Sequence, residues 1–204
     1  CKEGMISKKS YPFVFLKVLP YIYVMICRIR PDKVPSIILF FFFFLPAVSD
    51  AGKRDSITVY LFLLDECRIC QESAPEINEI YTKYKNKAGF VGIFPNFSSK
   101  PAAIELFKKK YGIQFATKTD YSKNQTNRFS ATVLPEVVVF NESKSEILYR
   151  GAISDLYYSP GKRNQSPARH FLLDALDQWF LNQPIRIAET RPVGCFININ
   201  DTVY

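Results

Sequence analysis

The chain is short of histidine, of blocks of like charge and of long apolar runs, and each shortage closes off a class of function. Only one of its 204 residues, His170, is a histidine. A structural zinc site wants a second ligand pair beside a Cys-x-x-Cys. The only candidates beyond Cys67 and Cys70 are Cys195 and His170, which stand far along the chain without paired spacing. No metal and no cofactor are therefore expected. The formal charge is +8, but residues 1–49 hold 7 Lys or Arg against 2 Asp or Glu, and the rest is near balance. Past that point the one run of like charge, Lys108-Lys109-Lys110, reads as a helix face, so a nucleic-acid partner is not expected. The longest apolar run, Ile37 to Leu45, extends through Pro46 to Val48. It falls short of the roughly 20 residues a spanning helix needs. Residues 50–204 contain no internal repeat and no low-complexity linker.

That apolar run does suit the core of a signal peptide. Arg28, Arg30 and Lys33 precede it, and Ala47 and Ser49 supply small residues ahead of Asp50. Residues 1–49 are accordingly expected to be a leader. Met25 would open a signal peptide of ordinary length, with residues 1–24 either an overlong start or part of an uncleaved membrane anchor. A buried core strand over 37–45 is the competing reading. Consecutive phenylalanines with no polar face and no turn chemistry around them count against it. The domain is thus expected outside the cytoplasm, periplasmic or attached to the extracytoplasmic side of a membrane, where a close thiol pair oxidises readily. It keeps Cys67, Cys70 and Cys195, an odd number that leaves one thiol to explain.

From residue 50 onward the pattern alternates. "SITVYLFLL" (56–64), β-branched and apolar without polar alternation, predicts a buried central strand. After the two cysteines, Ala74, Ile77, Ile80, Tyr81 and Tyr84 recur at helical spacing, with Pro75 near the start of an amphipathic helix. "GFVGIFP" (89–95) predicts a second strand. "SSKPAAIELFKKKYG" predicts a helix with a capping serine, Pro101 in its first turn and Gly112 at its end. A weak strand, "IQFATKTD", and a short helix in "YSKNQTNRFSAT" follow. "EVVVF" (136–140) and "EILYRG" (146–151) then predict a β-hairpin. "SPARHFLLDALDQWFLNQP" predicts a last helix with Phe171, Leu172, Ala175, Leu176 and Trp179 on its apolar side. Residues 50–183 are read as one domain and 184–204 as an irregular tail. The order predicts an α/β fold whose sheet is parallel first and closes with an antiparallel hairpin.

Two cysteines at i and i+3 opening a helix suit a small redox disulfide. The helix N-terminus puts partial positive charge on the first sulfur and lowers its pKa, which makes Cys67 the attacking thiolate. Arg68 adds a cation beside it, while Glu66 and Asp65 oppose that charge. A metal pair and two inert buried thiols are the alternatives. His170 reads as a packing and hydrogen-bonding residue, and Arg150 and Asp155 as solvated charges beside the hairpin. Pro135 directly precedes the strand in "TVLPEVVVF".

With these motifs in place, residues 56–197 resemble the redoxin or peroxiredoxin-like branch (alkyl hydroperoxide reductase and thiol-specific antioxidant type) of the thioredoxin superfamily found in exported bacterial proteins. The resemblance rests on "DEC", "PEINEIYTKY", "FVGIFPN", "TVLPEVVVF", "YRGAISD" and the run "GKRNQSPARHFLLDALDQWFLNQPI…ETRPVGCFI". It implies a thioredoxin-like three-layer fold, a central mixed sheet with helices on both faces. It also implies a cis-proline at Pro135 facing the active-site thiols, with the backbone at Leu134 and Pro135 as the ledge for an extended substrate. Cys195 matches a cysteine that recurs at this place in the family, either a resolving thiol, a thiol that pairs with a partner, or a buried small hydrophobe. Departures are plain. Members typically carry Cys-Pro-Ile, whereas Arg68 stands at that proline and Cys70 is present. The peroxidatic Pro-x-x-x-Thr-x-x-Cys motif is absent, since Tyr60 and Leu64 stand at the proline and threonine positions before Cys67. A buried Asp six residues before the first cysteine, usual in thioredoxins, is here Leu61.

The resulting expectation is an extracytoplasmic thiol–disulfide oxidoreductase. Cys67 attacks, Cys70 resolves, and the partners are a protein or small-molecule disulfide or thiol and a further redox protein. A thiol peroxidase resolved by Cys70 or Cys195 is one alternative. A non-enzymatic copper or zinc carrier using Cys67, Cys70 and His170 is the other.

Overall fold

The computed structural model describes residues 55–199 apart from Ala168. The leader expected over 1–49 lies outside the described residues, as do the first residues of the domain and the end of the tail.

Strand β1 (Ile57–Phe62) is the apolar run read from the sequence, and its neighbours explain why it has no polar face. It pairs in parallel with β2 (Gly89–Phe94) on one side and antiparallel with β5 (Glu136–Asn141) on the other. With β3 (Ala116–Thr119) beyond β2 and β6 (Glu146–Gly151) beyond β5, the five-stranded order is β3-β2-β1-β5-β6. Every residue of β5 is buried, as a strand covered on both faces must be.

Helix α1 (Arg68–Tyr84) links β1 to β2, and α2 (Pro101–Tyr111) links β2 to β3. Both crossovers join parallel strands stepping the same way across the sheet, so right-handed connections put both helices on one face. Ring contacts agree. Tyr81 of α1 meets Phe90, and Phe107 of α2 meets Phe94, both from the same side of β2. The last helix, α4 (Phe171–Phe180), joins α1: Tyr84 stacks on Phe180 at 5.2 Å and its hydroxyl donates to Asp177. The short α3 (Asn124–Phe129) covers the opposite face, where Phe129 packs on Tyr60, Phe62 and Phe140. The three-layer arrangement with a mixed sheet is therefore present.

Gly112 ends α2 in the left-handed conformation, as expected. The capping serine is not a cap. Lys100 occupies the N-cap without a side-chain bond, and the Ser99 hydroxyl donates to Asp65 at the turn before α1. That bond ties the loop after β2 to the one that presents the cysteines.

Beyond the expected elements are two short two-stranded ladders. Strands β7 (Tyr157–Ser159) and β8 (Lys162–Arg163) form a small hairpin after the sheet. Strand β4 (Val133–Leu134) pairs antiparallel with β9 (Cys195–Phe196), which lies inside the tail read as irregular. Among the described residues no helix is long and apolar enough to cross a membrane.

Candidate active site

The site assembles where β1 ends. The chain turns through residues 63–66, with the Cys67 N–H donating to the Leu64 carbonyl at 3.1 Å. Cys67 then takes an extended conformation (φ −76°, ψ 117°) as the N-cap of α1, without a side-chain capping bond. The sulfur of an N-cap cysteine sits at the positive end of the helix dipole. Because α1 carries no acidic residue in its first turn, nothing there cancels that field.

Register supplies the facing wall. Phe62, the last residue of β1, lies opposite Glu136, the first of β5. The residues just before β5 therefore lie beside the turn just after β1. They are Leu134 and Pro135, joined by a cis peptide bond, and the Leu134 carbonyl oxygen is 3.3 Å from Cys67 Sγ. The ledge residues and the cysteine are brought together as the sequence led one to expect. Glu136 braces the loop. Its buried carboxylate accepts the Thr132 N–H at 2.9 Å, with Arg150 at 3.9 Å, and burial raises its pKa. A charged residue at the head of the apolar "EVVVF" is the sequence signal for this brace.

Three cysteines converge here, all as free thiols. Cys70, one helical turn into α1, is wholly buried. Cys195 arrives from the tail: β9 places it opposite Leu134, the residue whose carbonyl touches Cys67. The pKa pattern follows from this triangle. A hydrogen bond from the Cys70 thiol lowers Cys67 most, burial opposes it, and a hydrogen bond from the Cys195 thiol and the backbone N–H groups of both partners add to the lowering. The net effect takes Cys67 from 9.0 to about 5. Burial, then its bond to Cys67, pushes Cys70 well up. The same two causes in the same order raise Cys195 to about 12. One sulfur is set up as a thiolate, and the other two hold their protons and donate to it.

The tail that delivers Cys195 is a strap with anchors along its length. The Arg150 N–H donates to the Ala188 carbonyl at 2.9 Å, and the Thr190 N–H donates to the Arg150 carbonyl at 3.0 Å. Farther on, the Ile197 N–H donates to the Thr132 carbonyl at 3.1 Å and the Asn198 N–H to Asn96 Oδ1 at 2.9 Å. Cys195 points inward, Phe196 is 82% exposed, and Ile197 is buried again, the period-2 alternation of a strand. Gly194 lies so close to the ledge that a Cβ there would stand 2.1 Å from the Leu134 oxygen. The glycine in "PVGCFI" marked this approach in the sequence. What it approached was not readable.

Other candidate residues fall elsewhere. Arg68 pairs with Glu72, and its side chain is 80% exposed. The strongest influences on Cys67 are the two other thiols and burial, rather than Arg68 or Glu66, whose expected tuning role finds no contact. His170 Nδ1 lies 2.6 Å from Glu76, whose other oxygen accepts from Ser154. The ligand set of Cys67, Cys70 and His170 is thus not assembled, and among the described residues no group of three or more His, Cys, Asp or Glu side chains is arranged to hold a metal ion. Arg150, read as a solvated charge, is instead half-buried between Glu136 and Glu189.

Residues 55–147 match the family described as Thioredoxin-like. The structure is similar to that of an uncharacterised conserved protein from Geobacillus kaustophilus, at 21% identity over 73% of this chain and 80% of that one, with a TM-score of 0.63. It is likewise similar to a hypothetical protein from Sinorhizobium meliloti 1021, at 17% identity over 73% and 82% of the two chains, with a TM-score of 0.63. At these identities the likeness shows the fold. No curated protein matches the sequence.

Proposed function

We propose that this chain, thioredoxin-like in its fold and its family match, is an extracytoplasmic thiol–disulfide oxidoreductase working through Cys67 and Cys70. The observation that carries the reading is the placement of Cys67: a low-pKa sulfur at a helix N-terminus, one turn from a second thiol and 3.3 Å from the carbonyl of a cis-Pro loop. The Cys67 thiolate attacks one sulfur of a substrate disulfide and expels the other as a thiolate. Cys70 then attacks the Cys67 sulfur, releases the second substrate thiolate and leaves a Cys67–Cys70 disulfide. Two electrons pass from the enzyme dithiol to the substrate, and a redox partner supplying a thiol pair restores them. Forming the mixed disulfide removes the Cys67 charge, which takes away part of what keeps Cys70 protonated. Location outside the cytoplasm is supported by the basic, then apolar, then small-residue pattern of residues 28–49.

The test is thiol trapping with mass spectrometry on the full chain across a series of glutathione redox buffers. A reversible Cys67–Cys70 disulfide with one defined potential is expected, and two thiols that never pair would overturn the dithiol mechanism. A second reading has one observation in its favour. Cys67 is only 2% exposed, which suits a small peroxide better than a polypeptide. In that case Cys67 becomes a sulfenic acid and Cys70 or Cys195 condenses with it, releasing water. The absent threonine, with Leu64 in its place, argues for slow turnover, and peroxide consumption measures it directly.

A further inference from the structure

The cis-Pro ledge is where an extended substrate was expected to lie, and in this structure the edge of β4 is already taken. The occupant is the chain's own strap. Strand β9 pairs antiparallel with Val133 and Leu134, Gly194 lies against the ledge backbone, and Cys195 is delivered to the face of Cys67. Backbone pairing along a sheet edge, with alternate side chains entering the site, is how proteins bind extended peptides. Residues 193–197 meet that description in every respect except that they are covalently attached.

We propose that residues 193–197 are a tethered pseudosubstrate, which seals Cys67 in the reduced protein and on oxidation supplies Cys195 to form a Cys67–Cys195 disulfide in competition with Cys70. This rests on the reading of Cys67 as the nucleophile. A polypeptide substrate must displace the strap before it can pair with β4. The strap's hold at the site is short, a two-residue ladder with exposed Phe196 on its outer side. Such elements open at a small fraction of the global unfolding cost. Tethering keeps the competing strand at high effective concentration, so an external peptide of equal intrinsic affinity is outcompeted until the strap lifts.

The redox step balances with a small disulfide such as oxidised glutathione as the oxidant. The Cys67 thiolate attacks it and one glutathione thiolate leaves. Deprotonated Cys195 then attacks the Cys67 sulfur, and the second glutathione thiolate leaves. Two protein thiols are oxidised and one glutathione disulfide is reduced, and the proton from Cys195 together with one from solvent goes to the two glutathione thiolates. Cys70 attacking the Cys67 sulfur of that bond regenerates the Cys195 thiol and moves the disulfide into the buried pair. The strap is thereby freed to lift.

The test uses the full chain and the variant Gly194→Val, whose added side chain meets the Leu134 carbonyl and forces the strap off while leaving Cys67 and Cys70 in place on α1. Circular dichroism checks that the variant is folded. Alkylation of reduced Cys67 by iodoacetamide, read by mass spectrometry, is expected to be at least about tenfold faster in Gly194→Val than in the parent, since access no longer waits for the strap to open. A fluorescent peptide Pro-Val-Gly-Ser-Phe-Ile is expected to bind the variant and not the parent. Equal alkylation rates together with no peptide binding would overturn the proposal. Disulfide mapping of the unaltered chain under limiting oxidised glutathione decides the matter even if the variant does not fold. A Cys67–Cys195 cross-link beside Cys67–Cys70 is expected. Cys67–Cys70 alone would remove the pseudosubstrate and leave the oxidoreductase reading standing, whereas no disulfide at Cys67 would remove both.

Discussion

Cys70 and Cys195 both lower the pKa of Cys67, yet their positions are secured in opposite ways. Cys70 is three residues along the same helix, wholly buried, and its distance from Cys67 is set by helical geometry. Cys195 is partly buried, far along the chain from Cys67, and is held at the site by the pairing of β9 with β4. One partner is permanent and the other conditional. A permanent partner suits repeated resolution of a mixed disulfide, and a conditional one suits gating of the same sulfur.

Breaking what the two partners share gives the largest effect. Cys67→Ser is expected to abolish reduction of a peptide disulfide, a loss of about a thousandfold or more, because no other thiol at the site is poised as a thiolate. Separating the partners comes next. Cys70→Ser is expected to stall the enzyme as a mixed disulfide, with turnover down about a hundredfold and the adduct visible by mass spectrometry. Cys195→Ser should cost less, about tenfold or under, since it removes one donor to the thiolate and leaves the helix pair intact. Equal losses from the two substitutions would erase the distinction between permanent and conditional partner.

The charge on Cys67 sharpens the comparison further through pH. Its folded pKa lies near 5, against 9.0 for an ordinary thiol. A depressed pKa means the folded state binds the proton more weakly than the unfolded chain does. The stability it contributes is therefore fully present above about pH 9 and is lost as pH falls through about 5. Cys70 and Cys195 are shifted upward and act only where ordinary thiols begin to ionise, so they leave the window from pH 5 to 8 to Cys67. The melting-temperature advantage of the reduced parent over Cys67→Ala is expected to shrink steadily as pH is lowered across that window. Oxidation to a disulfide should abolish this dependence.

The same contrast governs how much of the molecule the sequence disclosed. Everything built from local periodicity was legible: the central strands in the apolar runs at 57–62 and 136–141, the helix that opens at Cys67, the glycine that ends α2, and the hairpin. The cis bond at Pro135 was expected from the resemblance and is present, with the Leu134 carbonyl against Cys67. The strap was not legible. Its anchors are scattered hydrogen bonds to the backbone of Arg150 and Thr132 and to the side chain of Asn96, contacts between residues far apart in sequence that no repeat of apolar positions announces. Arg68 shows how little adjacency in sequence says of where a side chain goes. Adjacency in sequence suggested that it tunes Cys67, but the helix turns its side chain toward Glu72, one turn along.

The smallest effect on the chemistry comes from loosening the strap far from the cysteines. Gly151 ends β6 with φ +134°, a conformation that favours glycine, and a Cβ there would stand 2.3 Å from the Thr190 oxygen. Its neighbour Arg150 carries the strap's upstream bonds to Ala188 and Thr190. Gly151→Ala therefore strains β6 and unhooks the strap at once. It should cost about 2–3 kcal/mol, a fall in melting temperature of roughly 2–4 °C for each kcal/mol. The cysteine chemistry should respond asymmetrically. Cys70 keeps its place on α1, so the Cys67 thiolate retains its strongest donor, while the weaker donation from Cys195 is lost for the fraction of time the strap is off. The midpoint of Cys67 alkylation against pH is expected to rise from near 5 by about one unit or less. Destabilisation with no movement of that midpoint would mean that the pairing at Leu134 holds Cys195 without help from the upstream anchors. The conditional partner would then depend on the two-residue ladder, the bonds from Asn198 and Ile197 and the one from the Asn96 amide to the Phe196 carbonyl.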